Sequence, residues 1–170
     1  MTKNSRKNIA VIGSSGWNDE LNDFSLELAR EVGKKIAQAD CVLLSGGRGG
    51  VMEAACKGAN EEGGLTVGIL PFDKDDSNPY LSVSIPTHLG FFRNALVVRS
   101  ADAVIAIRGS VGTLSELAFA LNYDVPVVVL KGSGGIADEI HLMESIRDKL
   151  SYANTAEEAV DLAIQLSDKN

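Results

Sequence analysis

The sequence predicts an α/β protein with a mostly parallel sheet, in a three-layer arrangement of sheet and helices. Two observations carry this prediction. Short apolar runs typical of buried strands alternate with segments whose apolar residues recur every three or four positions, as in amphipathic helices. Several of the apolar runs end in glycine-rich turns. The chain has 170 residues, 45% hydrophobic and 23% charged, without a break in composition. We therefore expect residues 1–170 to form one domain.

The elements can be assigned in order along the chain. Apolar, β-branched runs predict strands over 8–12, 40–44, 65–70, 103–107 and 126–130, with a short extra strand at Val83 and Ile85. Helical periodicity predicts helices over 21–38, 51–62, 88–100, 138–149 and 155–166, and one that opens after the turn at 108–112. The last helix carries a capping box, Thr155-x-x-Glu158, at its start.

Composition excludes several classes of function. A net charge of −7 argues against broad binding to nucleic acid or to an anionic membrane, so any phosphate must be held by a local site. No apolar run approaches the ~20 residues of a membrane span, and no signal-peptide core follows the polar start. We therefore expect a soluble cytoplasmic protein. Cys41 and Cys56 lack metal-ligand spacing, which predicts reduced core cysteines and no metal site.

The stretch from Ser100 to Glu116 is the most informative. The predicted strand Ala103–Ile107 runs through Arg108, Gly109, Ser110, Val111, Gly112 and Thr113 into an amphipathic segment. In a parallel sheet, the loops at the carboxyl ends of strands face the ligand crevice, and the N–H groups that open the next helix suit an anion. We therefore expect the binding site at this turn.

Two further glycine turns follow predicted strands. The turn after the first strand places two hydroxyls beside glycine, suited to a phosphate or ribose; a plain strand-to-helix turn is the alternative. The turn after the second strand could cradle a phosphate around one guanidinium, or simply let the next helix pack closely. Neither matches GxGxxG or GxxxxGK[ST]. The candidate ligand-binding residues in these turns are Gly13, Ser14, Ser15, Gly46, Gly47, Arg48 and Gly49.

Arg93 and Glu116 each allow two interpretations. The helix predicted over 88–100 places Arg93 on one face with Leu89 and Val97, from where it either reaches into a crevice or lies over apolar surface. Thr113-x-x-Glu116 matches a capping box, in which Thr113 caps the helix and Glu116 reaches back to it. Alternatively, Glu116 lies off the apolar stripe and faces a cleft or a partner. That predicted stripe is Leu114, Leu117, Ala118 and Leu121.

These motifs together resemble the Lonely Guy family, whose members were long labelled possible lysine decarboxylases. The resemblance rests on Gly46-Gly47-x-x-Gly50 with Met52, on Arg93-Asn94, on Asp102-Ala103-Val104 and on Gly109-x-x-Gly112-Thr113-x-x-Glu116. The last of these is similar to the family motif PGGxGTxxE. The branch that the chain resembles most is the molybdenum cofactor carrier-like proteins. The resemblance implies a Rossmann-like fold and a homo-oligomer, a dimer or tetramer.

In the enzymatic members, the resemblance implies hydrolysis of the N-glycosidic bond of a nucleoside 5′-monophosphate to the base and ribose 5-phosphate. Carried over by position, Arg93 and Glu116 are the expected catalytic residues, with the phosphate on the amides of 46–49 and 109–113. The alternative is a carrier or sensor that binds a nucleotide or the molybdenum cofactor without turnover. Either way the expected partner is a phosphorylated small molecule, and no cofactor is required for catalysis.

The chain departs from the family motifs at three positions. Arg108 replaces proline, Ser110 replaces the second glycine, and Asn94 stands where the enzymes usually carry lysine. Arg108 is expected to add a charge at the lip of the phosphate site, and Ser110 adds a Cβ to a loop that favours a permissive backbone. A different substrate or simple binding therefore stays open. The segment 72–80 is expected to be a solvated loop, with a flap over the site as a secondary role, and 131–135 is expected to be a flexible loop that could close over a ligand.

Overall fold

The computed structural model describes residues 6–16 and 21–169. Within them, seven strands form one sheet in which every neighbouring pair is parallel. The strands are β1 (Asn8–Gly13), β2 (Val42–Ser45), β3 (Thr66–Leu70), β4 (Val83–Pro86), β5 (Ala103–Ile107), β6 (Val127–Leu130) and β7 (Ser151–Ala153). Their order across the sheet is β4-β3-β2-β1-β5-β6-β7.

The strand order creates a switch point beside β1. The chain builds outward from β1 to β4, returns to place β5 on the other side of β1, and then builds outward again to β7. In the register, Ile9 lies opposite both Leu43 of β2 and Ala103 of β5. Connections leave β1 and β5 toward opposite halves of the sheet, and such a point opens a crevice at the carboxyl ends of the strands.

Helices cover both faces of the sheet. They are α1 (Asp23–Gln38), α2 (Val51–Glu61), α3 (Asn94–Arg99), α4 (Val111–Asn122), α5 (Gly135–Glu139) and α6 (Ala156–Ser167). One apolar core lies between the sheet and α1, α2 and α6, and the other between the sheet and α3, α4 and α5. Along β1, Ile9 and Val11 join the first core, while Ala10 and Ile12 join the second. The fold is the predicted three-layer, Rossmann-like α/β arrangement.

Two of the predicted helices are wrong in extent. In place of a helix over 88–100, a 3-10 turn at Gly90–Arg93 precedes α3. His88 lies before this turn with a φ of 57°, so Leu89 and Arg93 do not share an α-helical face. In place of a helix over 138–149, α5 begins at Gly135 and breaks into 3-10 turns after Glu139. Strand β7, which follows those turns, was not predicted.

The buried stripes of α1 and α4 also differ from prediction, since the helical periodicity predicts that Leu21, Phe24, Leu28, Val32 and Ile36 are buried in the first of these helices. In α1, Phe24 is 61% exposed, and the buried positions are Ser25, Ala29, Val32, Gly33 and Ile36. Small residues face inward because α1 packs closely on α2: a Cβ at Gly33 would lie 2.8 Å from the backbone carbon of Ala55. In α4, Ala118 is exposed, and the buried positions are Thr113, Glu116, Leu117 and Ala120.

Both cysteines are buried and unpaired, as predicted. Burial raises the pKa of the Cys41 thiol and raises that of Cys56 to about 11, so both stay protonated at neutral pH. The described part of the chain contains no helix that is both long and apolar enough to cross a bilayer.

Candidate functional site

Ser14 ties together the loops that leave β1, β2 and β5. Its hydroxyl accepts a hydrogen bond from Gly109 N at 3.0 Å, and its carbonyl accepts one from Val51 N at 2.9 Å. Ser14 is only 1% exposed. The three turns predicted from the sequence are therefore adjacent in space, with Ser14 acting as their junction.

A cavity of about 890 Å³ opens where these loops meet. Nine of the predicted site residues line it: Gly13, Ser15, Arg48, Arg93, Asn94, Ser110, Gly112, Thr113 and Glu116. Six lie in the surrounding loops without lining it: Ser14, Gly46, Gly47, Gly49, Arg108 and Gly109. Six lining residues were not among the named site candidates, although one of them, Val111, lies within the predicted turn: Met52, Phe72, Asp76, Phe91, Val111 and Ser115.

The unpredicted lining is largely apolar. Phe72 follows β3, Phe91 lies in the turn before α3, and Met52 lies in the first turn of α2. Phe72 and Phe91 are 47% and 72% exposed, which is uncommon for large aromatic side chains. The sequence offers only a weak signal for them: Phe72 follows the proline that comes directly after β3, and Phe91 follows Gly90. Their positions give the cavity an apolar wall suited to a flat ring.

Arg93 and Glu116 form a buried ion pair in the cavity wall. Arg93 Nη1 lies 3.4 Å from Glu116 Oε1, and the two residues are 6% and 5% exposed. Arg93 therefore reaches into the crevice and does not lie over a solvated surface. Glu116 likewise faces the cleft.

Burial dominates the ionisation of this pair. It raises the pKa of Glu116 to about 7, although the Arg93 guanidinium acts in the opposite direction. Burial also lowers the pKa of Arg93, but a guanidinium remains charged at neutral pH. Glu116 can therefore exchange a proton near physiological pH, which most glutamates cannot.

Gly46 provides the space that Arg93 occupies. Arg93 Nη2 donates to the Gly46 carbonyl at 3.3 Å, and a Cβ at Gly46 would lie 2.7 Å from Arg93 Cζ. Within the described residues, Arg93 Nε is a buried donor without an acceptor. Because Gly46 has no side chain, the turn after β2 can pack closely against the Arg93 guanidinium.

The turn after β5 begins α4 earlier than the capping box predicted. Ser110 is the N-cap residue, and Thr113 lies inside the first turn without capping the helix. Of the two interpretations of Thr113-x-x-Glu116, the capping box is wrong, because the helix already begins at Val111. Ser110 has a φ of −136°, outside the left-handed region that favours glycine, so its Cβ does not meet that strain. The N–H groups of the first turn have no intrahelical acceptor and can receive an anion.

Asn94 makes its contacts within the protein. Its Oδ1 accepts from Arg93 Nη1 at 2.6 Å, and its Nδ2 donates to Ser115 Oγ at 2.8 Å. The side chain thus joins the start of α3 to α4 at the cavity wall.

Arg108 lies against the next loop instead of at the lip of the cavity. Its N–H donates to Ser133 Oγ at 2.8 Å, and its Nη1 donates to the Ser133 carbonyl at 3.4 Å. Arg108, which was expected to add a charge at the lip of the phosphate site, is therefore not among the residues that line the described cavity. Arg108 has a φ of 55°, which proline cannot adopt because its ring fixes φ near −65°. This loop therefore has a backbone that the proline of the family motif would exclude.

Comparison with known proteins shows relatives of two kinds. The chain is 32% identical, over 115 residues, to a cytokinin riboside 5′-monophosphate phosphoribohydrolase of Mycobacterium tuberculosis, and the match covers 62% of each chain. It is 34% identical to a molybdenum cofactor binding protein of Rippkaea orientalis, with a TM-score of 0.85 and coverage of 95% of this chain and 98% of that one.

A molybdenum cofactor carrier protein of Chlamydomonas reinhardtii is 32% identical, with a TM-score of 0.81 and the same coverage of 95% and 98%. These similarities confirm the resemblance to the Lonely Guy superfamily near its carrier-like branch. The model of the SLOG cluster4 family matches residues 6–160, and the chain belongs to that family.

Proposed function

We propose that this protein binds a phosphorylated nucleotide in the cavity and hydrolyses the N-glycosidic bond of a nucleoside 5′-monophosphate. The observation that carries the proposal is the Arg93–Glu116 pair, which is buried and yet lines the cavity. Burying two charges is costly, and such pairs with shifted ionisation are typical of functional sites. The phosphoribohydrolase relative supports the reaction type.

The chemistry requires a carboxylate beside a sugar that becomes cationic. The bond between C1′ and the base nitrogen breaks, and the base leaves with the bonding electrons. Glu116, as the carboxylate, stabilises or traps the positive C1′ centre. Water then adds hydroxide to C1′, and its proton goes to the departing base. Arg93, which stays charged, holds Glu116 and orients the substrate.

The rest of the cavity suits the other parts of such a substrate. The amides of Gly112 and Thr113, at the start of α4, suit the 5′-phosphate, and Arg48 adds a cation to the lining. Phe72 and Phe91 offer an apolar wall for the base. A volume of about 890 Å³ is within the range of small-molecule sites.

The test is incubation of the purified protein with a panel of nucleoside 5′-monophosphates, with release of free base and ribose 5-phosphate as the readout. We expect equimolar release from at least one substrate. Glu116→Gln should reduce kcat/KM about 1000-fold, and Glu62→Gln, at the exposed end of α2, should leave it unchanged. Undiminished turnover by Glu116→Gln would contradict the assigned role.

A second candidate function is carriage of a phosphorylated pterin-type cofactor without turnover. The observation that favours it is coverage: the two molybdenum cofactor proteins match 95% of the chain, and the phosphoribohydrolase matches 62%. The residues present fit such a cargo, since the start of α4 suits its phosphate and the aromatic wall suits its ring. Under this function, the cofactor raises the thermal unfolding temperature and is recovered intact, and no nucleoside monophosphate is cleaved.

We also propose that the protein is a dimer or tetramer that associates through the apolar surface beside the cavity mouth. Phe91, Phe92 and Val111 are 72%, 84% and 80% exposed there. Large apolar side chains clustered on a surface are typical of interfaces. Light scattering coupled to size exclusion should give an oligomer for the wild type and a smaller species for Phe92→Ser. A monomeric wild type would contradict the proposal.

A further inference from the structure

Asn94 is held at both ends of its amide group. Besides its bonds to Arg93 Nη1 and Ser115 Oγ, its Nδ2 lies 3.4 Å from the Gly112 carbonyl. The orientation of the amide follows from chemistry, because a guanidinium only donates and a carbonyl only accepts. Asn94 is 4% exposed, so solvent competes little for these bonds.

Arg93 Nη1 serves two acceptors at unequal distances. It lies 2.6 Å from Asn94 Oδ1 and 3.4 Å from Glu116 Oε1. A close charge-assisted contact between a guanidinium and a carboxylate is about 2.7–2.9 Å long. The guanidinium is therefore drawn toward the neutral amide and held short of a close ion pair with Glu116.

We propose that Asn94 is a positioning residue that competes with Glu116 for Arg93 and thereby leaves the Glu116 carboxyl available to the cavity. The inference rests on the proposed function, in which Glu116 is the working group, but its direct test needs no turnover. A lysine at this position could not accept a hydrogen bond from Arg93, because an ammonium group only donates. The competition is therefore a consequence of this chain's departure from the family motif.

Few charged groups face Glu116 within the described residues. Arg93 approaches it from the turn before α3, and Arg48 and Asp76 line the same cavity from the loops after β2 and β3. Arg93 opposes the effect of burial on the pKa of Glu116. A closer Arg93 must therefore lower this pKa, and an added carboxylate must raise it.

The experiment is a carbon-13 NMR titration of the ligand-free protein labelled at the glutamate side-chain carboxyls. The Glu116 signal is identified by its loss in Glu116→Gln. Asn94→Ala removes the acceptor, so Arg93 should close on Glu116 and lower its pKa by on the order of one unit. Asn94→Asp keeps an acceptor at nearly the same size and adds a negative charge, so it should raise the pKa. Asn60→Ala, on the exposed side of α2, is the matched control and should change nothing.

Opposite shifts in the two Asn94 variants would support the inference. Unchanged titrations, or shifts in one direction for both, would overturn it. If Asn94→Ala loses its cooperative unfolding transition, Asn94→Leu, which removes the acceptor at nearly the same side-chain volume, takes its place, and an unchanged or raised pKa overturns the inference. Failure of the proposed function would instead appear as absent hydrolysis by the wild type while the opposite NMR shifts persist.

Discussion

The pattern Thr-x-x-Glu occurs twice in this chain, and the two copies have different structural roles. At the start of α6, Thr155 is the N-cap, its Oγ1 accepts from Glu158 N at 3.2 Å, and Glu158 accepts from Asn154 N at 2.8 Å. In α4, Thr113 lies inside the helix, and Glu116 is buried against Arg93. One glutamate caps a helix in solvent, and the other faces a cavity.

The difference comes from where each helix begins relative to the pattern. Before α4, Arg108 and Gly109 have φ values of 55° and 91°, and this left-handed turn starts the helix at Val111. Glu116 then lies too far along the helix to reach the free N–H groups of its first turn. Before α6, Thr155 has an extended backbone and is the N-cap, so the helix begins at the next residue, Ala156. A local motif thus takes its role from the backbone that precedes it.

The largest expected difference between Glu116 and Glu158 is in how each affects the pH dependence of the free energy of unfolding. Burial raises the pKa of Glu116 from 4.5 to about 7, so between these values the folded protein retains a proton that the unfolded chain releases. The contribution to stability is present below pH 4.5 and is lost as the pH rises toward 7. For this group the loss is up to about 3 kcal/mol.

Urea unfolding from about pH 4 to about pH 8 measures this effect. The free energy of unfolding of the wild type and of Glu158→Gln should fall in parallel with rising pH, and that of Glu116→Gln should fall less. Parallel curves for all three proteins would mean that burial does not raise the pKa of Glu116.

Gly46→Ala should disturb the buried glutamate and leave the capping one untouched. The new Cβ would lie 2.7 Å from Arg93 Cζ, so the guanidinium must move away from its place beside Glu116. A displacement of this kind typically costs about 100-fold in rate. We expect kcat/KM for the nucleotide substrate to fall by that factor, with amide protection at the start of α6 unchanged by hydrogen exchange. Wild-type activity would show that Arg93 tolerates the shift.

Replacing Thr155 or Thr113 by valine has the smallest expected effect and compares the two copies of the pattern directly. Thr155→Val removes a side-chain cap, which should lower the free energy of unfolding by about 1 kcal/mol. Thr113→Val removes no cap, so its loss should be about 0.5 kcal/mol or less. Denaturant unfolding at one pH suffices to compare them. Equal losses would imply that Thr113 also stabilises the start of its helix.

The sequence predicted the strands well because buried parallel strands are apolar and β-branched. Ala103–Ile107 matches the predicted run in full, and the glycine turns after three strands meet at the switch point as expected. The exact start of α4 was not predictable, because it depends on the left-handed turn at Arg108 and Gly109.

Other features were missed because they depend on residues distant in sequence. Strand β7 has three residues and is recognisable mainly through its pairing with β6. Phe72 and Phe91 come from different segments, and their shared cavity wall exists only in the folded chain. The contact of Arg108 with Ser133 likewise joins two loops that no local pattern connects.

The hydrogen bonds between the loop after β5 and the loop after β6 restrict how the cavity can open. Besides the bonds from Arg108 to Ser133, Ile136 N donates to Gly109 O at 2.9 Å, and Ala137 N donates to Arg108 O at 3.0 Å. The loop after β6 is therefore fastened to the loop after β5 and cannot fold over a ligand by itself. The amides of Arg108, Ile136 and Ala137 should exchange with solvent as one cooperative unit. We therefore expect a ligand to enter and leave past Phe72 and Asp76, which line the cavity from the loop after β3.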